Sequence, residues 1–275
     1  MSVNVQLDKQ AIANSFSRAA SRYDAAASLQ RNVGDELMRQ IPLAEGRVFA
    51  DGTTVDLGCG TGYFTARLQD ALAGPVIGLD LAEGMLSQAR TNYQATNTID
   101  WLCGDAENLP LASDSVDCLF SSFALQWCSD LQRAFSECYR VLKRGGYLLV
   151  SLPVQGTLIE LEQSWKAVDQ ERHVNDFFSE QEVAAWLAEV FQHHPEKKNH
   201  ELFSVVTETR FYSQLNQLLR ELKDLGAHNI NRDRVKSLTT KGQYRALHQA
   251  YETYRTDQQL LPASYQVAYV CYRKG

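Results

Sequence analysis

Val55-Asp56-Leu57-Gly58-Cys59-Gly60-Thr61-Gly62 is the stretch that decides the fold. It reads as the close of a buried strand (Thr53 to Leu57), a glycine turn, and the start of a helix from Tyr63 to Leu72. Glycines at alternate positions admit left-handed backbone and let the main chain approach a ligand closely. The dinucleotide fingerprint G-x-G-x-x-G would need a glycine where this chain has Tyr63. Outward from the turn, Pro75 to Asp80 reads as a second strand ending in a carboxylate, and Ala82 to Tyr93 as a helix. Ile99 to Cys103 is a third strand, followed by the loop Gly104 to Pro110, and Val116 to Ser121 is a fourth. Leu131 to Leu142 is a helix closed by Lys143-Arg144-Gly145-Gly146, and Tyr147 to Leu152 is a fifth strand. Such alternation predicts a parallel sheet with right-handed crossovers.

Before this core, apolar residues recur at helical spacing from Leu7 to Ile41. After Pro153 the rhythm changes. Helices are expected over Leu158 to Gln170, Gln181 to Phe191, Gln214 to Leu225 and Lys241 to Tyr254, with strands over Leu202 to Phe211 and Tyr265 to Tyr272. The whole chain, 1–275, is therefore read as one domain: an N-terminal helical arm (1–45), a cofactor-binding core (46–153) and substrate-side insertions (154–201 and 227–263).

Composition narrows the class. The chain has 275 residues, 44% of them hydrophobic and 22% charged, enough apolar residues for a full core. No apolar run approaches the ~20 residues that span a bilayer, and no signal-peptide pattern opens the sequence, so no membrane role is expected. Six cysteines without a C-x-x-C pair read as reduced thiols in a cytoplasm, and neither they nor the six histidines show metal-ligand spacing. The net charge of −6 argues against a nucleic-acid partner. One stretch stands apart. Ala227 to Ala250 holds Arg232, Arg234, Lys236, Lys241 and Arg245 against Asp233 alone, which is either a solvated face or a site for an anionic partner.

With Asp56 before the first glycine, the quoted octapeptide resembles motif I of the class I S-adenosylmethionine (SAM) methyltransferases, and the resemblance implies a Rossmann-like α/β fold: a mostly parallel seven-stranded sheet with helices on both faces, the helical arm and helical lid insertions. Each part of that cofactor has a candidate here. The turn backbone at Gly58, Gly60 and Gly62 faces a helix start and suits the carboxylate end, with Asp56 near the amino end. Asp80, eighteen residues past Gly62, either accepts the ribose hydroxyls or caps the next helix. Leu81 and Met85 can wall the adenine, and Asp105 with the backbone of Ala106 can meet its amino group, unless Asp105 only stabilises a turn. Three carboxylates at successive strand ends favour a ligand site, since open α/β sheets bind ligands there.

The resemblance narrows further along the chain. Phe16-x-x-Ala19-Ala20-x-x-Tyr23-Asp24-x-x-Ala27-x-Leu29-Gln30, then Ser122-Phe123-Ala124-Leu125-Gln126-Trp127, resemble the malonyl-acyl-carrier-protein O-methyltransferase family of biotin synthesis. So do Gln155-Gly156-Thr157-Leu158, Trp165-x-x-Val168-Asp169, His173-x-Asn175-x-Phe177 and Leu222-Lys223-x-x-Gly226-Ala227. What this implies is methyl transfer from SAM, leaving S-adenosylhomocysteine, to the free carboxylate of malonyl-acyl carrier protein, with malonyl-coenzyme A as a further thioester to consider. No metal is implied. Tyr23, Trp127 and His173 become candidates for the catalytic chamber, with Gln30 beside the cofactor and Trp165 and Phe177 over the malonyl group. For Phe16 and Leu29 arm packing, and for Trp127 core packing, stays an equal reading, while for Tyr23 a site role is favoured over arm packing. Arg144 is either a carboxylate or phosphate contact or a helix-end charge. Arg232, Arg234 and Lys236 suit an acidic carrier protein. The core motifs alone also fit a methyltransferase for another small carboxylate or a quinone, or a SAM-binding partner without catalysis.

Overall fold

Five apolar strands run in one direction through the core: β1 (Thr54–Leu57), β2 (Val76–Asp80), β3 (Ile99–Cys103), β4 (Val116–Ser122) and β5 (Leu142–Pro153). The computed structural model describes residues 8–41, 52–72, 74–95, 98–191, 202–227 and 240–275. Two further strands, β6 (Leu202–Tyr212) and β7 (Leu261–Arg273), complete a sheet ordered β3-β2-β1-β4-β5-β7-β6. β7 lies antiparallel between β5 and β6. The order reverses direction at β1, so the carboxyl ends of β1 and β4 diverge around a crevice.

Strand composition follows from burial on both faces. Cys118 and Phe120 of β4, with Tyr147 and Leu149 of β5, face one apolar layer, while Leu119, Leu148, Val150 and Leu152 face the other. That two-residue alternation is invisible as polarity, because both sides are apolar. The first layer is built by α2 (Ser28–Arg39), α3 (Tyr63–Ala71) and α9 (Lys241–Tyr251), the second by α5 (Leu131–Val141) and α7 (Glu180–Phe191).

The N-terminal arm is two helices, not one. α1 (Lys9–Ala26) starts at Asp8, whose carboxylate accepts from the N–H groups of Gln10 and Ala11, and the chain leaves helical geometry at Ala27 (φ −83°, ψ 30°). The break separates two jobs. Leu29, Val33 and Leu37 of α2 are buried in the first layer, whereas α1 crosses α4 (Glu83–Asn92) near the site. Ser17 Oγ of α1 accepts from Gly84 N, and a Cβ at Gly84 would stand 2.5 Å from the Ser17 Cβ, so the helices touch closely.

Two strands begin earlier than the sequence suggests. β5 starts at Leu142, paired with Val116 across a register shift, and β7 starts at Leu261, paired with Tyr212. α6 (Ile159–Lys166) and α8 (Leu215–Asp224) fill the connections on the substrate side. Leu37 shows how far the arm belongs to the core. Leu37→Ala should cost about 2–5 kcal/mol, the range for truncating a fully buried leucine, read as a lower midpoint in urea unfolding. A cost below ~0.5 kcal/mol would mean that α2 is a detachable appendage.

Candidate active site

The glycine turn is tied to the tip of β2. Gly58 N and Cys59 N both donate to the Leu79 carbonyl, at 2.7 and 3.0 Å. Gly60 N donates to Asp80 Oδ2 at 2.9 Å, and Ala82 N donates to Asp80 Oδ1 at 2.7 Å. Gly62 N is used by the Cys59 carbonyl. These N–H groups are therefore engaged within the protein. The turn offers a ligand its bare, closely approachable backbone instead of the row of free donors that the sequence suggests. Gly58 (φ +74°) has no room for a side chain, since a Cβ would lie 2.1 Å from that of Ala124. At Gly60 (φ +56°) a Cβ would meet no atom within 4 Å, and the space it faces is a cavity.

That cavity encloses about 730 Å³ of open space, the solvent at its mouth included. Asp80 and Asp105 line it beside the apolar side chains of Ile12, Leu81 and Met85, and Ala106 completes the far wall. A second chamber of about 530 Å³ adjoins it. The two share Phe16, Tyr23, Phe123 and Trp127, with Phe16 and Trp127 in edge-to-face contact at 5.2 Å. Phe123 holds a left-handed backbone (φ +53°), unusual for a bulky residue and costing of order 1–3 kcal/mol. A third, outer cavity of about 1,250 Å³ meets the second chamber at Thr157, Asn175 and Phe177.

The structure sorts the candidate residues. Tyr23 and Trp127 stand at the junction, and Gly58, Gly60, Asp80, Leu81, Asp105 and Ala106 line the first cavity. Gln30 lines the second chamber, not the first, and Phe177 lines the second and the outer one. Trp165 and His173 line only the outer cavity, where their rings stack at 3.6 Å and His173 Nε2 meets Asp169 Oδ1 at 2.9 Å. Gly62 begins α3 and packs against Trp101. Asp56 does not reach the cavity wall. It is buried under the turn, accepting from Thr65 Oγ1 at 2.6 Å. Arg144 lies in the amino-terminal part of β5, at the opposite end of the sheet from the turn. Arg232, Arg234 and Lys236 fall outside the described residues.

Residues 55–150 match the family described as "Methyltransferase domain". Over 276 residues the chain is 41% identical to the "Malonyl-[acyl-carrier protein] O-methyltransferase" of Serratia marcescens, covering 99% of each. The chain belongs to the malonyl-[acyl-carrier protein] O-methyltransferase family. It is also 41% identical to the "Biotin biosynthesis bifunctional protein BioHC" of Cellvibrio japonicus, over 96% of this chain but only 50% of that protein, so it spans about half of that relative's length. Among solved structures, the YcgJ protein from Bacillus subtilis shares the fold with a TM-score of 0.57 at 16% identity, over 84% of this chain and 95% of that one.

The cofactor of such methyltransferases, SAM, fits this cavity. A weakly polar adenosine suits the apolar walls, the two carboxylates are acceptors for hydroxyl and amino groups, and the space above Gly60 is one that any side chain would fill. Lys9 also lines the first cavity, which the motif reading misses. Lys9 Nζ lies 2.6 Å from Asp105 Oδ2 and 2.9 Å from Glu107 Oε2. Burial works to lower the Lys9 pKa, but the hydrogen bonds and attraction from both carboxylates outweigh it and raise the pKa. The signal was present but faint: a lysine in the first turn opposes the helix dipole unless an external acid meets it. A second tie joins arm to turn, where Thr61 Oγ1 donates to Asp24 Oδ1 at 2.7 Å.

Burial dominates the carboxylate at Asp56, raising its pKa from 3.8 to about 7 against the opposing hydrogen bond from Thr65. Asp80 is also raised by burial, with the N–H groups of Ala82 and Gly60 pulling the other way. For Asp56 the folded state binds its proton more tightly than the unfolded state. Its stabilising effect is thus complete below about pH 4 and lost as pH rises through about 7. Asp56→Asn removes that titration while keeping the shape. Relative to the parent, the variant should gain stability between pH 5 and pH 8, by at most a few kcal/mol. Urea unfolding at both pH values checks this, and an unchanged difference would show that Asp56 is ionised in the fold throughout.

Proposed function

We propose that this chain methylates the free carboxylate of malonyl-[acyl-carrier protein], giving the methyl ester that fatty-acid-type elongation carries toward pimeloyl and biotin. The named relatives support the substrate. The observation that carries the reaction is the meeting of two chambers at Phe16, Tyr23, Phe123 and Trp127. SAM, when bound, supplies an electrophilic methyl group on a positively charged sulfur. In this reading Asp80 takes the ribose hydroxyls, Asp105 and Ala106 meet the adenine, and the turn at Gly58 and Gly60 underlies the amino-acid end.

The acceptor needs little activation. A carboxylate of pKa ~4 is already ionised at neutral pH, so no strong general base is required. What the chain must supply is alignment and the exclusion of water. Among the described residues the lining of the second chamber includes no Lys or Arg. Tyr23 is half-buried at the junction, and burial, then the negative charges of Asp80 and Asp24, raise its pKa. Its hydroxyl thus stays protonated, a neutral donor suited to orienting the acceptor. Phe16 and Trp127 close the junction to water, while Phe177 and Gln30 bound the acyl side.

Further proposals follow from the sequence reading. Arg232, Arg234 and Lys236 are proposed as carrier contacts, malonyl-coenzyme A as a second substrate and the cytoplasm as the compartment. Among the described residues no helix is long and apolar enough to cross a membrane. The reaction is proposed to proceed without metal. Asp169, Glu171 and His173 do bring ligand atoms within 4.8 Å of one another, but they line or flank the outer cavity, away from the junction.

Incubation with methyl-labelled SAM and malonyl-carrier protein, malonyl-coenzyme A or a quinone precursor tests the reading. Label should enter the malonyl-carrier protein as a base-labile ester. Label on the quinone alone would overturn it. Asp80→Ala should weaken SAM binding by about 1–3 kcal/mol in calorimetric titration, the cost of losing hydrogen bonds to a charged acceptor. Unchanged affinity would leave Asp80 as a structural tie alone.

A further inference from the structure

The cations around the outer cavity are matched, and those on the neighbouring helix are not. Lys166 pairs with Glu162, Arg172 with Asp176 and His173 with Asp169, and Glu171 adds one exposed acid. The cations of this cavity are therefore both paired, and its charged groups leave a small negative balance. α9 differs. It contains no acidic residue from Lys241 to Tyr251, and its outward side presents Lys241, Tyr244 and Arg245, all exposed. Among the described residues, neither Lys241 nor Arg245 has an ion-pair partner. Together with Thr240 and His248 they line a shallow surface concavity. His248, one turn further on, meets an acid, Glu252, at 3.6 Å.

This stripe is held rigidly. Leu247 and Tyr251, on the opposite side of α9, are fully buried, and Thr240 with Gln243 forms a capping box at its start. Gln243 Nε2 also donates to Asp169 Oδ2 at 3.2 Å, and the other oxygen of Asp169 meets His173 in the outer cavity. One carboxylate thus joins the cationic helix to the mouth that leads, through Thr157, Asn175 and Phe177, to the reaction chamber.

We propose that α9 is the docking surface for the acidic body of the carrier protein, and that the tethered arm enters by the adjoining outer cavity. The inference rests on the carrier-protein reading given above. Charge complementarity assigns each part. A protein face rich in carboxylates suits a helix whose cations lack partners, and the mostly uncharged, amide-bearing arm suits a passage whose cations are already paired. Exposed Tyr244 between the two cations supplies an amphipathic contact of the kind enriched in interfaces. Rim cations of this sort chiefly govern encounter and register.

The test uses the full chain and two substrates that share the phosphorylated arm and differ in the protein: malonyl-carrier protein and malonyl-phosphopantetheine thioester. The double variant Lys241→Glu/Arg245→Glu should raise KM for the carrier-bound substrate about tenfold or more at low salt, with kcat within about twofold. KM for the phosphopantetheine thioester should not change. Raising salt from about 50 to 300 mM should raise the parent's KM for the carrier-bound substrate and leave the variant's nearly flat. Equal rises on both thioesters, or no rise on either, would overturn the docking assignment. Should the double variant lose its thermal transition, Lys241→Gln/Arg245→Gln repeats the comparison, with a rise of about threefold expected for the carrier alone. A parent protein that methylates neither thioester would instead overturn the substrate reading, and the docking assignment with it.

Discussion

One carboxylate sets the geometry on which the rest depends. Asp80 stands at the end of β2 and accepts from Gly60 of the turn and from Ala82 at the start of α4. Two parallel strands thereby deliver their exits to a single point, and the backbone between them is drawn taut. Burying that group is unfavourable in itself, and the two N–H donors offset the cost. The same placement makes Asp80 line the cavity, so the tie that shapes the turn is also a wall of the site.

The rest of the enclosure comes from the arm. Lys9 reaches Asp105 and Glu107, Ser17 touches Gly84, and Asp24 meets Thr61, so α1 is fastened in turn to the loop after β3, the first turn of α4 and the turn after β1. Glu107 is itself fixed, accepting from Ser129 N at 2.7 Å just before α5. Enclosure matters for the proposed reaction because a carboxylate acceptor needs no strong base. Aligned partners and a dry junction are what lower such a barrier, and both depend on where α1 lies.

The core was legible because its signals are local. Thr53 to Leu57, Pro75 to Asp80 and Ile99 to Cys103 are apolar runs closed by their own turn residues, and β1, β2 and β3 appear at nearly those bounds. What was hidden depended on distant partners. Lys9 lies 96 residues from Asp105 in sequence, and nothing near it names that acid. The early starts of β5 and β7 arise from pairing with Val116 and Tyr212, neither of them a neighbour in sequence. Asp56 was read as facing the ligand, but an aspartate one residue before a sharp turn can point to either side. The hydroxyl of Thr65 draws this one inward. Arg144, read as a ligand contact or a helix-end charge, stands two residues past the C-cap of α5 and at the far end of the sheet from the turn.

The position of β7 has a consequence for the nascent chain. Its partners in the sheet, β5 and β6, are both synthesised earlier, and it inserts between them. Until it arrives, β5 presents an unpaired, largely apolar edge from Tyr147 to Pro153, and β6 has no place to dock. The segment 55–150, for all its recognisable motifs, therefore cannot close its own sheet or cover it without α2. Pairings of such sequence separation form slowly and leave sticky edges open in the meantime. The chain is most exposed to misassembly while its motif-bearing half waits for residues 261–273.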